Sequence, residues 1–235
     1  MIQTKRSIAG LLDKMRALVK DETGLTQNAI DELTMALTPL REVLRPGEND
    51  ELFAIVDQDG NSTGLSVPRW ICHSIGLRHR VVEIMLTWRS LRLGDVYLLQ
   101  MRSWSKSNSP GHLDISVAGH VKGASQDSIR VSAMDEMHEE LGLTTDQIIG
   151  GRLQFRCEYN HDDNVPSINF YNSERRIVFM ADVTTEVFNS IEFRDKEVVG
   201  LYLCPKCEAR NLLAQKHIPL SSALLNTLPR LLDSV

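Results

Sequence analysis

Residues 119–143 read GHVKGASQDSIRVSAMDEMHEELGL, a glycine-bearing loop that runs into an acidic segment. Asp135, Glu136, Glu139 and Glu140 place four carboxylates within six residues. Around them Val131, Met134, Met137 and Leu141 recur at helical spacing, which predicts a helix over 128–141 with one buried side. Positions three and four apart are neighbours on a helix, so Glu136, Glu139 and Glu140 share a face. Two readings are open. One is an ordinary solvated acidic surface. The other is a set of like charges at the edge of a core, neutralised by a hard divalent cation with oxygen ligands, Mg²⁺ or Mn²⁺.

The 235-residue chain is 42% apolar and 24% charged, as expected of a globular protein, and its net charge of −5 gives no general basic field for a nucleic-acid polymer. No apolar run approaches the roughly 18 residues needed to cross a bilayer, so no membrane is expected as a partner. The N-terminal stretch MIQTKRSIAGLLDKMRALVK is charged throughout and unlike a secretory signal, and four cysteines do not make a disulfide framework. A cytoplasmic location with reduced thiols is the expectation.

Working outward, Ile8, Leu11, Leu12, Met15, Leu18 and Val19 form one helical stripe over 5–20. Ile30, Leu33, Leu37, Leu40 and Leu44 form a second, with Thr26 or Asn28 as cap and Pro46-Gly47 as stop. Residues 1–48 therefore read as a helical hairpin, a structural extension able to pair two copies as a homodimer; it carries no His and no Cys. Residues 49–235 read as one mixed α/β (α+β) domain. From Glu51 the stretch LFAIVDQDGNSTG reads as a strand-like run with a turn at Asp59-Gly60-Asn61, and further strands are expected over 80–87, 95–100, 153–159, 176–181 and 197–203. Helices are expected over 206–214 and 220–233, where Pro229 should kink or shorten the last one. The stretch NHDDNVPSINFYNSE reads as a long polar loop. Cys204 and Cys207 form a lone C-x-x-C without a second pair, a weak case for zinc.

The acidic segment resembles the Nudix box, G-x5-E-x7-R-E-U-x-E-E-x-G-U with U aliphatic. Glu136, Met137, Glu139, Glu140, Gly142 and Leu143 fall on its second half in register. Asp127 stands at the first Glu position, Asp135 at the Arg position and Val121 at the leading Gly position, between Gly119 and Gly123. From residue 51 to residue 210 the order of motifs is similar to the Nudix branch that contains type I isopentenyl-diphosphate isomerase and its hydrolase relatives. The resemblance implies an α/β/α sandwich around a mixed sheet. The isomerase holds a divalent metal with three histidines and two glutamates. His79 and His120 match two of those histidines, His73 stands one residue short of the third, Glu174 matches one glutamate, and Asn172 occupies the other position. The isomerase also needs a cysteine before the Gly-His pair, where this chain has Ala118, a methyl group that moves no proton.

The resemblance therefore points first to a metal-dependent hydrolase of a diphosphate bond in a small molecule, a nucleoside diphosphate derivative foremost. It implies Glu136, Glu139 and Glu140 as ligands of Mg²⁺ or Mn²⁺, with Glu139 or Glu140 as base. Arg102 and Lys106 would hold the diphosphate, the first by its fork and the second as a point charge. His120 and Glu174 would face the substrate, and His79, Asp127 and Glu197 would be accessory. An isomerase, disfavoured by Ala118, and a non-catalytic binding module, suggested by Asp135, are the alternatives.

Overall fold

The computed structural model describes residues 10, 12, 25–106, 108–122, 127–194 and 196–233, with the backbone alone at 127 and 128. The expected first helix lies outside the described residues except at Gly10 and Leu12. The chain is a mixed α+β fold that divides into two compact units interleaved in sequence. The first comprises Met1–Arg80, His120–Ser128 and Tyr159–Arg176; the second comprises Val81–Gly119, Ile129–Glu158 and Ile177–Val235.

In the first unit, Thr26 caps helix α1 (Gln27–Leu37), its hydroxyl accepting from the Ala29 amide at 3.2 Å. The expected single helix stops at Leu37. Pro39 has no N–H to continue the ladder, so the chain passes through a 3₁₀ turn at Thr38–Leu40 into the short α2 (Arg41–Leu44). Ile30, Leu37 and Leu44 nevertheless stay on one side. They pack on Phe53, Ile55, Val67, Trp70, Ile71 and Leu77, so this extension shares a core with the strands and helix that come after it. Full burial of each such side chain contributes about 1.5–3 kcal/mol.

Strand β1 (Leu52–Val56) pairs antiparallel with β2 (Ser62–Pro68), Phe53 opposite Val67. The turn between them is held by Asp57, whose carboxylate accepts from the amides of Asp59 (3.0 Å) and Asn61 (2.8 Å). Helix α3 (Arg69–Ile75) is an element that the hydropathy pattern does not announce. It ends where Gly76 takes φ +75° and donates to the Cys72 carbonyl, a left-handed turn that leads the chain into β3 (Arg78–Ser90). Ile55 stands opposite His79. The Val121 amide donates to the Arg80 carbonyl (3.0 Å), and the Val121 carbonyl accepts from Ala54 (3.2 Å), which anchors the segment carrying His120.

The predicted polar loop is in fact strand. Strands β7 (Gln154–Val165) and β8 (Phe170–Val183) pair with each other and turn at a 3₁₀ segment, Pro166–Ile168, closed by left-handed Asn169. The polar residues mimic a loop because here they face inward: Asn172, Glu174 and Arg176, two apart, are all buried.

In the second unit, β3 pairs antiparallel with β4 (Gly94–Arg102), Leu86 opposite Leu98. Strand β4 pairs in turn with β5 (Leu113–Asp114) and β9 (Val198–Pro205). Strand β6 (Val117–His120) precedes the acidic helix α4 (Asp127–Leu141). The short α5 (Thr185–Asn189) follows β8, and α6 (Ala209–Ala214) follows β9. The last helix, α7 (Ser222–Asp233), continues through Pro229. Proline there removes the amide that would bond to the Leu225 carbonyl; Leu225 is exposed, so water can take that acceptor, while buried Leu224, Leu228 and Leu231 hold the helix in place.

Candidate functional site

On α4 the buried stripe is Ile129, Ala133, Met137 and Leu141, whereas Val131 is exposed. The expected stripe is thus rotated, and the rotation sorts the carboxylates. Glu140 is 3% exposed, Glu136 is half-buried, and Glu139 and Asp135 face solvent. Gln100 on β4 donates to Glu140 over a long 3.5 Å. Glu136 folds directly over Gly119: a Cβ at that position would fall inside the envelope of the Glu136 Cγ, Cδ and Oε1. The glycine before His120 is therefore a clearance for a carboxylate. Arg130, five residues before Asp135, donates to the Leu153 carbonyl (3.2 Å) and lies over Phe179. His138 meets Arg194 at 3.1 Å on the surface. The Asp127 side chain lies outside the described residues.

Also in the second unit, Arg102 donates to Asp114 (3.0 Å) and, with Nε and Nη2, to the Asn108 carbonyl. Lys106 is ion-paired to Glu197. Both cations thus have protein partners, and an incoming diphosphate would compete with them. Cys204 is buried and Cys207 exposed, and no metal-ligand group among the described residues includes either.

The first unit holds a second cluster. His73, His79 and His120 bring one ring nitrogen each within 4.8 Å of one another. Three local structures do this: α3 carries His73, its left-handed stop at Gly76 leads into His79 on β3, and the Val121 bonds hold His120. Phe53 stacks on His120 at 3.9 Å and lies 4.6 Å from His79.

The ring nitrogens are differentiated. His79 Nδ1 sits 3.0 Å from the Leu77 carbonyl, and an acceptor there assigns the proton to Nδ1. His73 Nδ1 is 3.1 Å from both oxygens of Glu48, with the same consequence. The Nε2 atoms of His73 and His79 are buried without a hydrogen-bond partner. A buried acceptor left unmade is costly, and a divalent cation is a ligand that would satisfy both. Burial, with help from His73, lowers the His79 pKa to about 4; burial, then Arg69 and the other histidines, lowers that of His120 as well. These two rings are neutral at pH 7, as metal ligation requires.

Glu174 is buried beside them. Burial raises its pKa, but Arg176 foremost, then His79 and the Asn172 hydrogen bond (2.7 Å), outweigh that and leave it at about 2. Arg176 Nε donates to the same carboxylate at 2.6 Å. Glu174 is therefore an anion at the cluster, already engaged by Arg176 and Asn172. Glu48 is a site residue the sequence does not nominate, and His73 and Asn172 join it from positions where the resemblance is imperfect. The inward period-two polar pattern of 172–176 is a usable signal for Asn172, whereas Glu48 has none.

No family model matches the chain. A stretch of 168 residues, 71% of this chain, is 30% identical to Nudix hydrolase 3 of Arabidopsis thaliana but spans only 21% of that protein. The crystal structure of DR0079 from Deinococcus radiodurans superposes with a TM-score of 0.54 at 19% identity, over 77% of this chain and 98% of that one. The NUDIX domain of Shewanella oneidensis NrtR, solved with ADP ribose, gives 0.47 at 11% identity over 66% and 86%. The first likeness supports a relationship to the Nudix hydrolase superfamily, and the second shows the shared fold.

Proposed function

We propose that the protein is a divalent-metal-dependent Nudix-type hydrolase of a diphosphate bond in a small molecule, a nucleoside diphosphate derivative foremost. The observation that carries this reading is the pairing on α4 of a buried Glu140 with a Glu136 seated over Gly119. An exposed acidic face needs neither burial nor a glycine clearance.

Glu136, Glu139 and Glu140 would hold Mg²⁺ or Mn²⁺, hard ions suited to carboxylates. When bound, such an ion supplies an activated water and offsets charge on the diphosphate. The chain's own contribution is to place carboxylates of graded exposure along one helix edge. Glu139, open to solvent, can take the proton of the attacking water and pass it on, while Glu140 stays fixed by burial. Water oxygen attacks one phosphorus, the P–O anhydride bond breaks, and the leaving phosphate departs as an oxyanion. Arg102 and Lys106 would receive the phosphates by exchanging Asp114 and Glu197 for substrate oxygens.

The histidine triad is a second candidate centre, with Glu174 beside it. Imidazole ligands favour a transition ion such as Mn²⁺ or Zn²⁺ over Mg²⁺. The triad is the ligand set the isomerase resemblance implies, yet Ala118 stands where that chemistry needs a thiol. Cys72 does not replace it: its sulfur donates to the Val67 carbonyl inside the core, and burial pushes its pKa up.

The test is cleavage of the diphosphate bond in nucleoside diphosphate derivatives and isoprenoid diphosphates with Mg²⁺ or Mn²⁺, read by chromatography of the monophosphate products. Turnover of the first class supports the reading. No turnover of either class, together with no calorimetric binding of divalent ions, would remove it.

A further inference from the structure

We propose that Glu48, from the N-terminal extension, is a positioning residue for a metal ligand: its carboxylate accepts the Nδ1 proton of His73 and fixes the Nε2 lone pair toward His79 and His120. The inference rests on the reading of the histidine triad as a metal centre and goes beyond it, because the described residues of the extension supply none of the triad's ligands.

Glu48 is itself tightly held. Arg45 Nε donates to its Oε1 at 3.0 Å and Arg45 Nη2 pairs with the same oxygen. Arg41 Nη2 donates to the Glu48 main-chain carbonyl, and Arg41 Nη1 reaches Asp50 at 2.8 Å. The Arg45 guanidinium lies 4.6 Å over the Phe170 ring, whose edge contacts His73 with ring centroids 5.0 Å apart. His73 is thus fixed from two sides, by a carboxylate on one ring nitrogen and an aromatic ring against its face. Glu48 reaches both His73 and Arg45 from a partly buried position.

A carboxylate on the distal nitrogen does two things for a histidine ligand. It selects the tautomer with the lone pair on Nε2, and it raises the basicity of that nitrogen. His79 receives the weaker version of the same treatment from the Leu77 carbonyl. The difference makes His73 the ligand whose aim depends on a segment outside the α/β elements. If docking of Arg41–Glu48 strengthens metal binding, then metal must strengthen that docking by the same factor.

The experiment titrates Co²⁺ into full-length wild type and the E48Q, E48A and His79→Asn variants by calorimetry. It adds the Co²⁺ absorption spectrum and hydrogen exchange of residues 41–48. The His79→Asn variant supplies the background from carboxylate sites. Expected is a triad-dependent Co²⁺ site in wild type, weakened by about 10–100-fold in E48A and less in E48Q, which keeps an acceptor oxygen. The spectrum should change in E48A, and Co²⁺ should slow exchange over 41–48 in wild type only. Wild-type affinity and spectrum in E48A would overturn the positioning role and leave the triad standing. A wild-type Co²⁺ isotherm identical to that of His79→Asn would overturn the triad itself. Thermal melts of the metal-free variants identify any that fail to fold, in which case E48Q decides.

Discussion

Replacing Gly119 with alanine probes the acidic helix without touching a carboxylate. Gly119 does not have a positive φ, so its backbone accepts alanine without strain. The new methyl carbon would overlap the Glu136 Cγ and Cδ. Carbon atoms settle about 3.5–4.0 Å apart, so the carboxylate must withdraw by about an ångström or more. Glu136 is half-buried and its chain is flexible, so it swings outward at little cost to the fold, about 1 kcal/mol or less. Catalysis is less tolerant. Metal–oxygen distances hold to about 0.2 Å, and a misplacement of about 1 Å costs on the order of 10²-fold in rate. That factor corresponds to about 2.7 kcal/mol in the barrier. The assay is the initial rate of Mg²⁺-dependent nucleoside monophosphate formation, with a thermal melt beside it. The expected result is a near-wild-type melt with a rate down by about two orders of magnitude, and a Gly119→Ala/Glu136→Ala double variant no slower than Glu136→Ala alone. Undiminished turnover in Gly119→Ala, or strictly additive losses in the double variant, would refute the placement of Glu136 in the site.

Arg176→Ala leaves the buried Glu174 carboxylate without its guanidinium, and a loss of about 3–5 kcal/mol is expected in a denaturant melt. Pro229→Ala restores an amide inside α7 and should stabilise by about 1–3 kcal/mol, seen as a higher Tm. Among the cysteines, exposed Cys207 should react first with a thiol reagent at pH 8. Burial, then Cys207 and Glu208, push Cys204 up to about 11, so its labelling should lag until the pH approaches that value or the protein unfolds.

Much of this architecture is legible in the residues because its signals are local. The Thr26 cap, the Asp57–Asn61 turn and the alternation of β3 and β4 each depend on neighbours in sequence. The register of α4 is readable only in part: of the hydropathy stripe Val131, Met134, Met137 and Leu141, burial keeps Met137 and Leu141 and continues through Ile129 and Ala133 in place of the other two. Small Ala133 hides the true stripe. The β7–β8 strands resemble a loop in sequence because hydropathy assigns polar residues outward, and this pair points Asn172, Glu174 and Arg176 inward to meet one another. His73 falls outside the site that spacing defines, because spacing alone cannot show a left-handed turn at Gly76. The contact of Glu48 with His73, 25 residues on, is tertiary and has no local trace.

The most direct test of the acidic-helix claim compares wild type with Glu139→Gln and Glu140→Gln for release of the nucleoside monophosphate from one turned-over nucleoside diphosphate derivative, with Mg²⁺, with EDTA and with Mg²⁺ restored. Release that EDTA abolishes and Mg²⁺ restores is expected, with a fall of about 10²–10⁴-fold in at least one variant and both variants folded. Release that survives EDTA, or that both folded variants sustain at the wild-type rate, would contradict the claim.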